Sequence, residues 1–101
     1  MIVYADLNGD GEQVAATILA VTTSGTGVFE YLAVVKKVNG VPQNVATVFL
    51  GDRVKIQSLT AGSGTITVNM LVAGPGQPLC CPSQPVSQTY RLVGNQLVRT
   101  R

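Results

Sequence analysis

The chain of 101 residues has no histidine, only two cysteines and few charges, and each shortage removes a class of function. Without histidine, a cysteine nucleophile lacks its usual base. Two thiolates cannot complete a tetrahedral zinc site, and the remaining ligands would have to be carboxylates. Charged residues make up 12% of the chain, about half the usual share, while 46% are hydrophobic, so the surface is poor in charge and invites a partner. The net charge of +2 is too small, and Lys and Arg too scattered among the few aromatics, for nucleic acid. Arg91, Arg99 and Arg101 gather near the C-terminus and read as a solvated face. No run of 18 apolar residues exists, so no membrane span is expected. Nor does a signal peptide open the sequence, since Met1 leads directly into a strand; the address of an exported protein would lie upstream. The pairs Gly25/Gly27, Gly62/Gly64 and Gly74/Gly76 precede no helix and lack the further glycine or lysine of a phosphate loop.

What the chain does contain is strands. Residues Ile2 to Asp6 predict a short first strand and Val14 to Thr22 a longer one. The run Val14 to Val21 is nearly all apolar and rich in β-branched residues, which suits a central strand covered on both faces, with a buried helix as the competing reading. Thr23-Ser24-Gly25-Thr26-Gly27 follows as a flexible connection. Val28 to Val38 is the next strand, and Asn39-Gly40 predicts a two-residue type I′ hairpin into Gln43 to Leu50. Gly51-Asp52 turns the chain into Arg53 to Leu59, with Val54 and Ile56 inward. After a loop over Thr60 to Gly64, Thr65 to Val72 places Ile66, Val68, Met70 and Val72 on one face, and these two strands should pair. Gln88 to Val93 and Gln96 to Arg99 form a last hairpin around Gly94-Asn95, with Tyr90 and Leu92 inward. The expectation is one all-β domain of seven or eight short antiparallel strands: a sandwich, a partly open barrel or one curved sheet. Exposed edges of such a sheet, short of charge, predict a homo-oligomer.

Two stretches carry chemistry. Asp6-Leu7-Asn8-Gly9-Asp10-Gly11 fits the opening of a calcium loop, where oxygens of Asp6, Asn8 and Asp10 at alternate positions would converge on the ion. The twelfth position, a bidentate glutamate in an EF-hand, is Thr17, and flanking helices are absent. In hairpin loops of the FG-GAP type a further acid stands at the ninth position, here Val14. The ligand set is therefore incomplete, and a tight turn at Asn8-Gly9 or Asp10-Gly11 without metal is the simpler reading. An enzyme using Asp6, Asp10 and Glu12 for acid–base work is a further alternative, although three acids in one turn do not make a tuned pair across a cleft. The second stretch, Ala73 to Pro85, holds four of the five prolines and both cysteines. Cys80 and Cys81 are candidates for redox chemistry or an inter-chain disulfide; a bridge between them would have to close across Cα atoms about 3.8 Å apart, below the usual range.

Together Asp6-Leu7-Asn8-Gly9-Asp10-Gly11, Leu50-Gly51-Asp52-Arg53-Val54 and Gly74-Pro75 through Pro78-Leu79-Cys80-Cys81-Pro82 resemble a family of uncharacterised, mostly exported bacterial proteins, over nearly the whole chain. The resemblance implies an envelope or secreted location, a place as the C-terminal part of a longer protein, and no established activity. The sequence departs from it at Val14 and Gln77, each a position where relatives commonly carry an acid. The expected function is a non-enzymatic envelope or secreted module that binds a protein or small molecule. A calcium-stabilised structural module is the alternative, and a hydrolase using the loop carboxylates comes after it.

Overall fold

Alternation and β-branching resolve into eight strands: β1 (Ile2–Ala5), β2 (Val14–Thr22), β3 (Val28–Val38), β4 (Val41–Asp52), β5 (Lys55–Gly62), β6 (Thr65–Val72), β7 (Gln84–Val93) and β8 (Gln96–Arg99). They come from a computed structural model that describes residues 1–7, 9–22, 25, 27–76, 78 and 81–101. The first four strands make one antiparallel sheet in the order β1-β2-β3-β4, and the last four a second in the order β5-β6-β7-β8. The sheets stack as a sandwich and do not close into a barrel, which decides among the three expected architectures. They approach most closely at their margins, β1 to β5 and β4 to β8.

Turn chemistry explains the connections. Asn39 and Gly40 both adopt positive φ, 53° and 79°, between the paired Val38 and Val41, the type I′ hairpin expected from Asn-Gly. Ser63 and Gly64, at 54° and 77°, make a second such turn between Gly62 and Thr65, shortening what reads in sequence as a five-residue loop. Consequently β5 runs to Gly62 and starts only at Lys55, because Arg53 takes a left-handed φ of 55° and leaves the strand. β4 begins earlier than expected, through Pro42, and β7 through Pro85; neither proline needs a donor, since β4 is an edge strand and β8 pairs only with Tyr90 to Val93. The connection after β2 includes Thr23, Ser24 and Thr26, which lie outside the described residues.

The core lies between the sheets. Val14, Ala16, Leu32, Val34, Ala46 and Leu50 from the first sheet meet Leu59, Ile66, Val68, Met70, Tyr90 and Leu92 from the second. Leu7, from the loop between β1 and β2, closes one end. No polar side chain is buried among the described residues. Tyr90 keeps its hydroxyl satisfied by donating to Gln88 Oε1 at 2.6 Å. Burial pushes its phenol above the ordinary value, against a smaller opposing pull from Arg99. Three register shifts, with Val45, Leu50 and Gln57 as the extra residues, bend β4 and β5.

The corner where the chain leaves one sheet for the other is built by Gly51-Asp52-Arg53. Arg53 donates its backbone N–H to the Val28 carbonyl at 2.6 Å. Asp52 Oδ1 accepts from the Val28 N–H at 3.1 Å while its Oδ2 pairs with Arg53 Nη2 at 3.3 Å. Gly51 has a φ of +152°, and a Cβ there would sit 2.7 Å from Val54 Cγ1.

Candidate functional site

The loop singled out by its acids is an eight-residue connection from Ala5 to Val14 instead of a tight two-residue turn. Its shape is held from within. Asp6 Oδ1 accepts the Gly9 N–H and Oδ2 the Gly11 N–H, each at 2.8 Å, and both glycines adopt the positive φ this winding requires. Asp10 Oδ1 accepts the Glu12 N–H at 2.9 Å. The Asp6 carboxylate is thus the hub of an Asx-type winding, with Leu7 driven inward as its anchor. Asn8 lies outside the described residues. Glu12 turns to a different place, the outer surface of the first sheet. Among the described residues no three Asp, Glu or Cys side chains converge as metal ligands would.

In the second stretch Cys80, Leu79 and Gln77 lie outside the described residues. Cys81 is exposed, its thiol is not free, and its N–H donates to the Pro78 carbonyl at 3.3 Å. Ser83 N–H donates to Val72 O at 3.2 Å, joining the end of the loop to β6.

The most distinctive surface is one that neither stretch marks. In the second sheet most outward residues are polar: Thr67 and Thr89 share a hydrogen bond at 3.2 Å, Asn69 donates to Ser58 at 2.9 Å, and Ser87 and Arg91 stand exposed, with Val93 and Val98 the exposed apolar exceptions toward the β8 edge. This is the usual antiparallel sheet, apolar inward and solvated outward. The first sheet is apolar on both sides. Its pairing aligns outward rows across the strands: Tyr4, Ala15, Val35 and Asn44; Ile2, Thr17, Ala33 and Thr47; Leu19, Tyr31 and Phe49; Val21, Phe29 and Asp52. Val3, Ala5, Ile18 and Val48, the alternate residues, pack on the core. Four of the five aromatic residues therefore stand on this one face, and Tyr90 alone is inside.

The face has relief. At one end Phe49 packs between Tyr31 and Phe29, with ring centroids 5.3 and 6.2 Å away and tilted geometry, forming a ridge. Phe49 remains 53% exposed, and Leu19 and Val21 flank it in the open. At the other end a groove of about 520 Å³ is lined by Ile2, Tyr4, Ala15, Val35, Lys37 and Pro42, with Glu12 and Gln13 at its rim. Between them, Ala33 is 1% exposed yet belongs to no core cluster, so its burial comes from taller neighbours on this outer face. Charge is confined to the two ends, Glu12 and Lys37 at the groove and Asp52 beyond the ridge. A smaller hollow of about 390 Å³ on the opposite side is lined by Glu30, Lys55, Met1, Ile18, Val54 and Ile56. Burial raises the Glu30 carboxyl above its ordinary value there.

Set against protein-family models, curated proteins and solved structures, the chain matches none of them.

Proposed function

We propose that the chain is a non-enzymatic binding module of the bacterial envelope or of a secreted protein, and that its binding surface is the outer face of the first sheet. One observation carries the reading: five large apolar side chains on that face, Ile2, Tyr4, Leu19, Val21 and Phe49, are 42 to 63% exposed. Strand spacing and rise give the four-stranded face roughly 500 Å² of flat area, near the upper end of what a typical monomer leaves uncovered. An apolar face with an aromatic ridge and charges only at its margins is the anatomy of an interface. The location rests on the resemblance of the three motifs. The loop acids support binding over catalysis, because both Asp6 oxygens and one of Asp10's accept backbone amides and Glu12 lies at the groove instead of beside them.

An apolar fluorescent probe such as anilinonaphthalene sulfonate tests the surface. The native chain should bind it, and Phe49→Ser and Leu19→Lys should each lose most of the signal while melting normally. Equal signals from all three would sink the assignment of this face. A hydrolase and glycosidase screen showing turnover that disappears in Asp10→Ala would overturn the non-enzymatic reading.

A further inference from the structure

We infer that the occupant of this face is a second copy of the chain, packed face to face about a two-fold axis that runs across the strands along the row Ile2, Thr17, Ala33 and Thr47. The inference rests on the binding reading above and adds the partner. A two-fold interface requires a surface complementary to itself, each residue i meeting j while j meets i. The outer face meets this condition in shape. The ridge row of Leu19, Tyr31 and Phe49 lies one row to one side of the axis, and the groove row of Tyr4, Ala15 and Val35 lies one row to the other.

Rotation by half a turn places the ridge of each copy over the groove of the other. Leu19 then faces Ala15, and Tyr31 faces Val35, large opposite small. On β2, β3 and β4 the waist between them is low, because the axis row carries Thr17, Ala33 and Thr47 there, while at the β1 margin Ile2 meets its own copy. Two sheets can therefore approach to the ordinary stacking distance of about 10 Å without a clash at the centre.

Charge keeps to the rims. Lys37 stands two rows from the axis at the groove end, where Glu12 also lies, and Asp52, paired with Arg53, two rows from it at the ridge end. The rotation lays one rim over the other, so the polar groups of both copies surround an apolar contact without entering it. Size sets the strength. Roughly 500 Å² of flat face on each copy buries about 1,000 Å² in all, at the lower limit for a specific interface. Association is accordingly weak, with a dissociation constant between about 10 µM and 1 mM. The contact in this arrangement is a sheet face and not a sheet edge.

Sedimentation equilibrium of the native chain from about 10 µM to 1 mM, with each variant checked for native melting, tests the inference. The expected result is reversible dimerisation that Leu19→Lys and Phe49→Ser weaken at least tenfold, and that Ser87→Lys, on the polar face of the second sheet, leaves unchanged. Ala15→Trp is the decisive variant. It fills the groove without touching the ridge or the core, and should weaken the dimer as much as losing the ridge does. Dimerisation indifferent to Ala15→Trp overturns the ridge-in-groove arrangement, and indifference to all three face variants points to edge pairing and overturns it too. A native chain that stays monomeric to 1 mM also overturns the inference. In that outcome, probe fluorescence still lost in Phe49→Ser leaves the binding face standing with another occupant, whereas absence of probe binding removes both readings.

Discussion

Replacing Gly51 by alanine should be among the most damaging single-methyl additions in this protein, and the cost can be worked from two independent contributions. At φ +152° an alanine is held outside its favoured regions, a strain of about 1–3 kcal/mol. Its Cβ would also stand 2.7 Å from Val54 Cγ1, and Val54 cannot yield easily, being β-branched and packed against the core. Overpacking of this kind adds about 1–3 kcal/mol. Together they predict a loss of about 2–6 kcal/mol, a large fraction of the about 5–15 kcal/mol that holds a domain of this size. Urea denaturation followed by far-ultraviolet circular dichroism measures it, with a midpoint falling by about 1–3 M for ordinary slopes. Gly40→Ala is the control: its φ is +79° but nothing lies within 4 Å of the added methyl, so only the backbone contribution of about 1 kcal/mol remains. Combining Gly51→Ala with Val54→Ala should cost less than the sum of the two by at least about 1 kcal/mol, because the second change removes the atom that the first collides with. If Gly51→Ala costs no more than Gly40→Ala, or if the pair is additive, the account of this corner is wrong.

Asp6→Ala removes the acceptor of two amide bonds and should destabilise by about 1–2 kcal/mol, while Asp10→Ala, which loses one, should cost less than about 1 kcal/mol, both read from denaturant midpoints. Because the loop closes on its own amides, the melting temperature in millimolar calcium should stay within about 1 °C of that in chelator; a rise of several degrees would establish a cation at Asp6 and Asp10. Glu30 gives a pH dependence with a defined sign. Burial raises its carboxyl above the ordinary 4.5, so as pH climbs the unfolded chain releases this proton first and the folded state loses ground above that value. Glu30→Gln should therefore melt above the native chain at pH 7 and converge with it by pH 3, and a gain that persists at pH 3 would point to packing instead of ionisation.

Strand identities were legible wherever a turn residue fixed them. Asn39-Gly40 set both ends of the β3–β4 hairpin, and the alternation from Ile66 to Val72 set the buried face of β6. Ser63-Gly64 was missed because serine is a poor signal for positive φ, and Arg53 because nothing in an arginine announces a left-handed residue. The aromatic ridge was hidden for a geometric reason. Counted outward from Asn39-Gly40 without interruption, Tyr31 would stand opposite Val48, and Phe49 would point to the core. The extra residue at Val45 shifts the register by one and brings Phe49 beside Tyr31. Register shifts of this kind have no strong signature in a single sequence. One sign was nevertheless present in the Val14 to Val21 run, which reads as a strand covered on both faces. The strand is central in its sheet, flanked by β1 and β3, and its inward residues are covered, but Leu19 and Val21 are not. The expected cover on the outer face is therefore absent from the chain itself, because an apolar run does not tell a strand covered on both faces from one whose outer face stands open.

The division of the chain into two successive meanders also governs how it is made. Within each sheet every strand pairs with its neighbour in sequence, so each sheet can zip from local hairpins at little loop-closure cost. The core has to wait, because Leu32 and Val34 on β3 are buried only when Ile66 and Val68 on β6 arrive. At about 5–20 residues per second of synthesis the delay is a matter of seconds. Throughout it the first sheet is sticky on two sides. Within that sheet, Glu30, Lys36 and Lys37 are the charges that interrupt the long apolar strand β3, and charges so placed discourage aggregation of a half-made chain. A carboxylate that burial disfavours in the finished fold is thus of the kind that favours its precursor, a trade visible only when the protein is considered in time.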